Sequence, residues 1–280
     1  MKVRIHDSAD EFCDVAEPLY RRDPVGNTIE LTALRAGTVG DNALLLSVWD
    51  DHGPVGAALQ VPPYPLACNG LPASAHLTVA NELARIRPDI NGVRGTRDLA
   101  TDFTNAWTSV TGCTGTVAMS EMLYRLGSLR PPVGVPGAHR EATPTDRAVL
   151  VDWVQRFFVE TFSHHRDDAA GQRFVDNAEA VGDRVILWED AGAPVSMAML
   201  RAPATGVSRI GPVFTPRKSR GRGYGSAVSA AAAHLARLDG VDDVVLFADL
   251  ANPTSNAIYQ RIGFEAIAES VRFDFSPSTG

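Results

Sequence analysis

A repeated hairpin pattern is the feature that most constrains the fold of this chain. Residues 44–59 read LLLSVWDDHGPVGAAL, and residues 183–199 read DRVILWEDAGAPVSMAM. Each segment is an apolar run that ends in tryptophan and two acids, followed by a turn with glycine, Pro-Val and a second apolar run. Two such runs around a short turn predict a β-hairpin. The occurrence of two similar hairpins predicts that the chain consists of two similarly built halves.

The residues around each hairpin repeat one order of elements. Two helical patterns precede the first hairpin, at 8–20 and 24–36, and two precede the second, at 145–162 and 167–181. After each hairpin we expect a strand, a helix, a strand, a helix and a last strand. The expected ranges are 65–69, 73–87, 90–94, 96–110 and 115–126 in the first half, and 207–215, 222–238, 243–249, 254–262 and 264–275 in the second.

The order ααβββαβαβ therefore occurs twice. Late alternation of strands and helices requires a mixed sheet with helices on its faces. The predicted fold class is α/β, in the sense of an α+β mixed sheet: two such domains in tandem, each a central mixed sheet flanked by helices. Asp7 or Ser8, and Thr145, are candidate N-caps for the first helix of each half.

The segment between the halves has the composition of a linker. Residues 130–146, RPPVGVPGAHREATPTD, contain four prolines and two glycines, residues that interrupt regular structure. We therefore expect one domain at 1–130, a linker at 131–144 and a second domain at 145–280.

Charge and cysteine content exclude several classes of protein. The formal net charge of −7 argues against a general nucleic-acid binder, which needs a basic surface, and suits an amine-bearing substrate. Cys13, Cys68 and Cys113 are too widely spaced for a metal or disulfide framework, so we expect no metal site and a reducing, cytoplasmic location. The start MKVRIHDSADEF lacks the apolar run of a signal peptide. No apolar run approaches the roughly 18 residues of a membrane span.

A basic, glycine-dense segment follows the predicted strand at 207–215. Residues 220–225 read RGRGYG, and a helical pattern begins beside them. A dinucleotide fingerprint is excluded because Ser226 stands where the third glycine is needed, and the G-K-[ST] of a P-loop is absent. Glycines allow close backbone approach, and a helix start offers free N–H groups and the positive end of its dipole. The segment therefore predicts a cradle for a phosphate or pyrophosphate, to which Arg220 and Arg222 add charge.

Two motifs together resemble the GNAT superfamily of N-acetyltransferases. Arg220-x-x-Gly223-x-Gly225 after a strand is similar to the acyl-CoA pyrophosphate loop of that family. Residues 247–264, FADLANPTSNAIYQRIGF, resemble its second signature: a strand, Asn252, a short helix with Tyr259, and Gly-Phe entering the final strand. The resemblance covers residues 145–275. The corresponding places in the first half, residues 65–77 and 94–107, lack both motifs, so that half resembles a degenerate copy.

The resemblance implies where an acetyl-CoA donor binds. Strands near 208–215 and 243–249 are expected to splay, with pantetheine in the gap. Its main-chain partners are Val213, Phe214 and Thr215, and Asn252 contacts it as well. The pyrophosphate is expected on Arg220, Gly221, Arg222, Gly223, Tyr224, Gly225 and Ser226.

The resemblance also implies a mechanism. No cysteine lies between residues 114 and 280, so direct attack by the amine in a ternary complex replaces an acyl-cysteine route in the second half. Tyr259 is the candidate acid for the leaving thiolate. The base stays open among Glu160, His164, His165, Asp249 and a water relay.

The predicted function is an N-acetyltransferase that moves an acetyl group from acetyl-CoA to a primary amine, without nucleic-acid or membrane partners. A mycothiol-synthase-like acyltransferase and a non-catalytic CoA-binding regulatory module are the alternatives. No motif specifies the amine, an oligomeric state or a ligand of the first half.

Overall fold

The chain folds into two compact units. A computed structural model describes residues 1–37, 39–40, 42–162 and 165–277. The N-terminal unit comprises residues 1–122, 249–251 and those from 268 onward, and the C-terminal unit comprises residues 123–248 and 252–267. Each unit thus takes in chain from both predicted halves.

The first half of the chain contains six strands and four α-helices among the described residues. They are β1 (Lys2–Ile5), α1 (Ala9–Tyr20), α2 (Thr28–Arg35), β2 (Leu44–Asp50), β3 (Gly53–Gln60), β4 (Leu66–Ala67), α3 (His76–Ile86), β5 (Gly92–Thr96), α4 (Arg97–Thr111) and β6 (Thr114–Leu126). A single 3₁₀ turn, Ala73–Ala75, leads into α3.

The second half repeats this order. Its elements are β7 (Ala138–Glu141), α5 (Arg147–Phe162), α6 (Asp168–Ala180), β8 (Arg184–Asp190), β9 (Ala193–Leu200), β10 (Val207–Phe214), α7 (Tyr224–Leu238), β11 (Asp243–Asp249), α8 (Pro253–Arg261) and β12 (Phe264–Ser276). Two 3₁₀ turns, Pro144–Asp146 and Arg217–Ser219, precede α5 and the loop before α7. The repeated ααβββαβαβ order and the mixed α/β class are confirmed.

Two strands and one cap differ from the expectations. Both β1 and β7 were not predicted, and β7 lies inside the segment expected to be a linker. Ser8 caps α1 by accepting the N–H of Glu11, as expected. Thr145 does not cap the helix of the second half, because Thr143 forms a capping box with Asp146 one turn earlier.

Strands β6 and β12 each belong to both units. Chain passes from the N-terminal to the C-terminal unit within β6, after Met122, and returns within β12, after Ile267. The strand order is β1-β2-β3-β4-β5-β12-β6 in the N-terminal unit and β7-β8-β9-β10-β11-β6-β12 in the C-terminal unit. In the N-terminal unit β12 is antiparallel to β5, with pairs from Ser270–Thr96 to Asp274–Gly92. The end of the chain therefore completes the sheet that its beginning starts.

Each unit buries its own apolar core. In the N-terminal unit Leu46, Phe103 and Trp107 are fully buried, and Val271 and Phe273 of β12 join the same cluster. In the C-terminal unit Trp153 and Val154 of α5 pack on Leu187, Met197 and Phe214 of the sheet. This second core sets the position of α5 beside the end of β10.

Candidate functional site

Strands β10 and β11 diverge near the middle of the sheet of the C-terminal unit. Their parallel ladder joins Val207–Ile210 to Asp243–Leu246 and goes no further in the described part of the chain. The pairing of β10 with β9 shifts register between Ile210 and Val213, as at a β-bulge. Gly211, at the shift, has φ +150°, a conformation open to glycine. The strands therefore diverge along the stretch where the sequence predicts a gap.

A glycine-lined helix start follows the diverging strand. Helix α7 begins at Tyr224, its N-cap is Gly223 at φ +84°, and no side chain caps it. Its first intrahelical bond runs from Ala227 N to Gly223 O, so the N–H groups of residues 224–226 have no acceptor within the helix. Unpaired N–H groups at the positive end of a helix dipole form an anion-binding site. We call residues 220–226 the cradle.

The segment before β7 lies against the cradle. A side chain added at Gly223 would place its Cβ 2.9 Å from Cγ2 of Val135. The next residue, Pro136, accepts a hydrogen bond from Trp188 Nε1 at 2.8 Å. Residues expected to be linker are thus packed within the C-terminal unit.

The side chain of Tyr224 holds the start of α7 against the protein interior. Its ring is buried, and its hydroxyl donates to Oδ2 of Asp190, at the end of β8, at 2.5 Å. This hydrogen bond, together with burial, raises the pKa of Tyr224. The side chain therefore anchors the helix start and leaves the backbone N–H as its contribution to the cradle.

Arg220 is held by neighbouring protein groups. Its Nε donates to Thr215 O at 2.8 Å and its Nη2 donates to Glu160 Oε2 at 2.6 Å. Arg217 Nε lies 3.8 Å from the same carboxylate oxygen. Burial alone would raise the pKa of Glu160, but the hydrogen bond and charge of Arg220, with Arg217 and Arg156, outweigh it and lower that pKa. Lowered basicity makes Glu160 a poor general base.

The other candidates for the general base are His164, His165 and Asp249, and the structure shows no shared contact among those it describes. His165 is exposed, and His164 lies outside the described residues. Asp249 Oδ1 accepts the N–H of Ala251 at 2.8 Å, in the turn that follows β11.

Helix α8 brings Asn252 and Tyr259 into the C-terminal unit. Asn252 Oδ1 accepts the N–H of Ser255 at 3.1 Å and caps α8. Tyr259 is 9% exposed, and its ring lies 6.2 Å from that of Phe264 and 6.4 Å from that of Tyr124. Its hydroxyl has no hydrogen-bond partner among the described residues, and burial raises its pKa to about 12. The phenol is therefore protonated at neutral pH, as an ordinary tyrosine is, and its raised pKa makes it a weaker acid than an ordinary tyrosine.

Tyr124 is a neighbour of Tyr259 that the sequence did not indicate. Its hydroxyl donates to Asn256 Oδ1 at 2.9 Å and accepts from Gln260 Nε2 at 3.3 Å. It comes from β6, far from α8 along the chain, and no motif surrounds it. Only the pairing of strands brings the two tyrosines together.

The corresponding place in the N-terminal unit is closed by side chains. Strands β4 and β5 pair at Leu66–Val93 and Ala67–Arg94. Beyond that pair, Asn69 Oδ1 accepts the N–H of Thr96 at 2.7 Å, and Asn69 Nδ2 donates to Gly26 O at 2.8 Å. Asn69 therefore bridges β4 and β5 at the place that corresponds, in the C-terminal unit, to the divergence of β10 and β11. Together with the absence of a glycine loop at residues 71–77 of the sequence, this supports the interpretation of a degenerate copy.

Two further classes of site are not found in the described part of the chain. No group of three or more His, Cys, Asp or Glu side chains is placed to hold a metal ion. None of the helices described above has the length and apolarity needed to cross a membrane.

Comparisons with known proteins bear on the family and the fold. Residues 147–264 match the model of the acetyltransferase (GNAT) family. A GNAT-family acetyltransferase from Colwellia psychrerythraea superposes with a TM-score of 0.65 at 11% identity, covering 99% of this chain and 100% of that one. A tandem GNAT protein from the clavulanic acid biosynthesis pathway has a TM-score of 0.61 at 13% identity, covering 100% and 99%. No curated protein matches the sequence.

A third solved structure is similar over almost the same length. The GCN5-related N-acetyltransferase from Sphaerobacter thermophilus has a TM-score of 0.62 at 16% identity, covering 98% of this chain and 94% of that one. Because these identities are low, the three structures show a common fold and nothing more. The common fold extends over the whole chain, including its first half.

Proposed function

We propose that the protein transfers an acetyl group from acetyl-CoA to a primary amine, on the basis of the match of residues 147–264 to the model of the acetyltransferase (GNAT) family. Acyl transfer from an acyl-CoA is the activity of the family. One observation supports the donor site above all: β10 and β11 diverge directly before an uncapped, glycine-lined helix start. An extended ligand that ends in a diphosphate fits this arrangement, because the gap between the strands is followed directly by an anion site.

In the proposed complex the donor lies along β10. Pantetheine bonds to main-chain groups of Val213, Phe214 and Thr215, and the diphosphate is bound by the N–H groups of the cradle. Arg222 is exposed at the cradle and supplies charge. Asn252 keeps its role as the cap of α8 and contacts pantetheine beside it.

The chemistry is direct attack by a neutral amine on the thioester carbonyl. The new C–N bond forms as a tetrahedral intermediate, the C–S bond breaks, and the thiolate takes a proton. Tyr259 donates that proton or a hydrogen bond that stabilises the thiolate, since its buried phenol is protonated at neutral pH. Water carries away the proton of the amine, because Glu160 is engaged by Arg220.

We place the protein in the cytoplasm, in keeping with its three free cysteines. The N-terminal unit is proposed not to bind acetyl-CoA, because Asn69 bridges β4 and β5.

The test is calorimetry followed by an amine panel. We expect one acetyl-CoA per chain, and release of free CoA thiol only when an accepted amine is present. Binding without release across a broad panel would favour the regulatory module. Transfer of an aminoacyl group from a cysteinyl donor would favour the mycothiol-synthase-like enzyme. No binding of acetyl-CoA would refute the donor site, and a stoichiometry near two would refute the degenerate first half.

A further inference from the structure

Glu160 connects helix α5 to the cradle. Its Oε2 accepts a hydrogen bond from Arg220 Nη2 at 2.6 Å and lies 3.8 Å from Arg217 Nε. The Glu160 side chain is 24% exposed, so water only partly screens these charges. The helix is itself fixed on the sheet, because Trp153 packs 6.1 Å from the ring of Phe214. The carboxylate is therefore carried by a helix that packs on the sheet.

Arg220 joins this carboxylate to the end of β10. Its Nε donates to Thr215 O at 2.8 Å, and its guanidinium carbon lies 5.9 Å from the centre of the Phe214 ring. One side chain thus ties the first residue of the cradle to α5 and to the strand that precedes the cradle. The hydrogens on Nε and Nη2 point at protein acceptors.

We propose that Glu160 is a positioning residue for the donor site. By holding Arg220, it fixes the loop between β10 and α7 in the shape that presents the N–H groups of residues 224–226 as one anion site. A loop ordered in advance loses less conformational entropy when a diphosphate binds. The identity of the ligand rests on the proposed function, whereas the positioning itself is a property of the loop.

The opposite role for Glu160 makes the opposite prediction. If the carboxylate only competed with the diphosphate for Arg220, its removal would strengthen binding, because a negative charge would leave the neighbourhood of an anion site. If Glu160 positions the loop, its removal weakens binding. The sign of the effect therefore separates the two roles.

The first experiment measures hydrogen exchange without any donor. We expect the hydrogen-bonded amides that flank the cradle, those of residues 219, 220 and 227, to exchange at least about threefold faster in Glu160→Ala and in Arg220→Ala. Glu160→Gln, which keeps an acceptor oxygen, should show a smaller increase. Asp152→Ala is the matched control, since Asp152 lies on the same helix and pairs with Arg166 rather than with the cradle. Unchanged exchange at residues 219, 220 and 227 in Glu160→Ala would overturn the proposal, as would an increase spread evenly over the C-terminal unit.

The second experiment measures CoA affinity by calorimetry and acetyl transfer by kinetics. We expect Glu160→Ala to weaken CoA binding about tenfold and to raise the KM for acetyl-CoA, with little change in kcat at saturating donor. The double variant Glu160→Ala/Arg220→Ala should be no weaker than the weaker single variant, because the two residues act as one unit. Tighter binding by Glu160→Ala, or full additivity, would refute the positioning role. Failure of the unmodified protein to bind CoA would refute the donor instead, and the exchange experiment would still decide the role of Glu160.

Discussion

At the scale of single residues, the two motif residues of α8 have clearly different settings. Asn252 Oδ1 accepts the N–H of Ser255 and caps the helix. Tyr259 is buried, yet its hydroxyl bonds to no described residue.

Replacement of Tyr259 by Phe tests its role as acid. We expect kcat to fall by about 10²–10⁴-fold, the usual contribution of general acid catalysis, with little change in CoA affinity or melting temperature. Tyr124→Phe is the control, since it loses the bonds to Asn256 and Gln260 but leaves the Tyr259 phenol. A kcat near that of the unmodified enzyme in Tyr259→Phe would assign the proton to water.

Two buried histidines give the fold a dependence on pH. His6 and His76 are 3% and 2% exposed, and burial lowers the pKa of each below its ordinary value of 6.5. Between the lowered pKa and 6.5 the unfolded chain binds more protons than the folded one. Stability is therefore retained above about pH 6.5 and lost as the pH falls below it, by up to about 1.4 kcal/mol per pH unit for each histidine.

Urea unfolding at pH 8.0, 6.5 and 5.5 measures this loss. We expect His76→Leu to reduce the slope of stability against pH, while His52→Leu, at an exposed histidine, should leave it unchanged. An unaltered slope in His76→Leu would show that burial of this ring does not govern acid sensitivity.

At the scale of elements, long periodic segments were predicted within a few residues and short edge strands were missed. Helix α1 was expected at 8–20 and runs over Ala9–Tyr20, because its apolar spacing specifies one buried face. Strands β1 and β7 have four residues each and are largely exposed, so they lack an apolar signal. The prolines and glycines around β7 further conceal it.

Contacts across elements could not be predicted. Arg220 and Glu160 lie on different elements far apart in sequence, and nothing in either segment identifies its partner. The same is true of Asn69, whose bridge from β4 to β5 depends on the pairing of those strands. The motifs predict which segment binds a ligand, but not how its long side chains are used.

The start of α7 is best tested at Gly225. A Cβ there would lie 3.4 Å from Thr215 Oγ1, and the residue does not need positive φ. Alanine should therefore keep or slightly raise stability while its methyl group obstructs the cradle. Since a charge-assisted hydrogen bond is worth roughly 1.5–3 kcal/mol, we expect CoA affinity to fall at least about tenfold.

Gly223→Ala provides the contrast to this variant. Gly223 has φ +84° and faces Val135, so alanine there should also cost about 1–2 kcal/mol of stability. Calorimetry and thermal melting of both variants separate blocked binding from strain. Undiminished CoA affinity in Gly225→Ala would contradict the location of the diphosphate.

At the scale of the whole molecule, the exchange of β6 and β12 makes each unit depend on the other half of the chain. Val271 and Phe273 of β12 are buried in the core of the N-terminal unit, and Phe275 stacks on Trp107 at 5.7 Å. Each buried side chain of this size contributes about 1.5–3 kcal/mol, a large part of the 5–15 kcal/mol by which domains are typically stable.

Removal of residues 268–280 should therefore unfold the N-terminal unit. We expect rapid proteolysis within residues 1–122, mapped by mass spectrometry, although none of those residues is deleted. A chain shortened only to Ser276 retains all of β12 and serves as the control. Persistent protection of residues 1–122 after the longer deletion would show that β12 is dispensable for this unit.

The path of β12 also bears on how the protein is made. A ribosome produces residues 268–276 after all the other strands described here, so the place beside β5 stays empty until these residues have been synthesised. Domains usually fold in the order of their synthesis, the N-terminal one first. Here the sheet of the N-terminal unit is incomplete until β12 has been synthesised. Until then β5 has an open edge, which is prone to mispairing. Chaperone contact during translation should accordingly concentrate on β5 and be released only after the final strand has emerged.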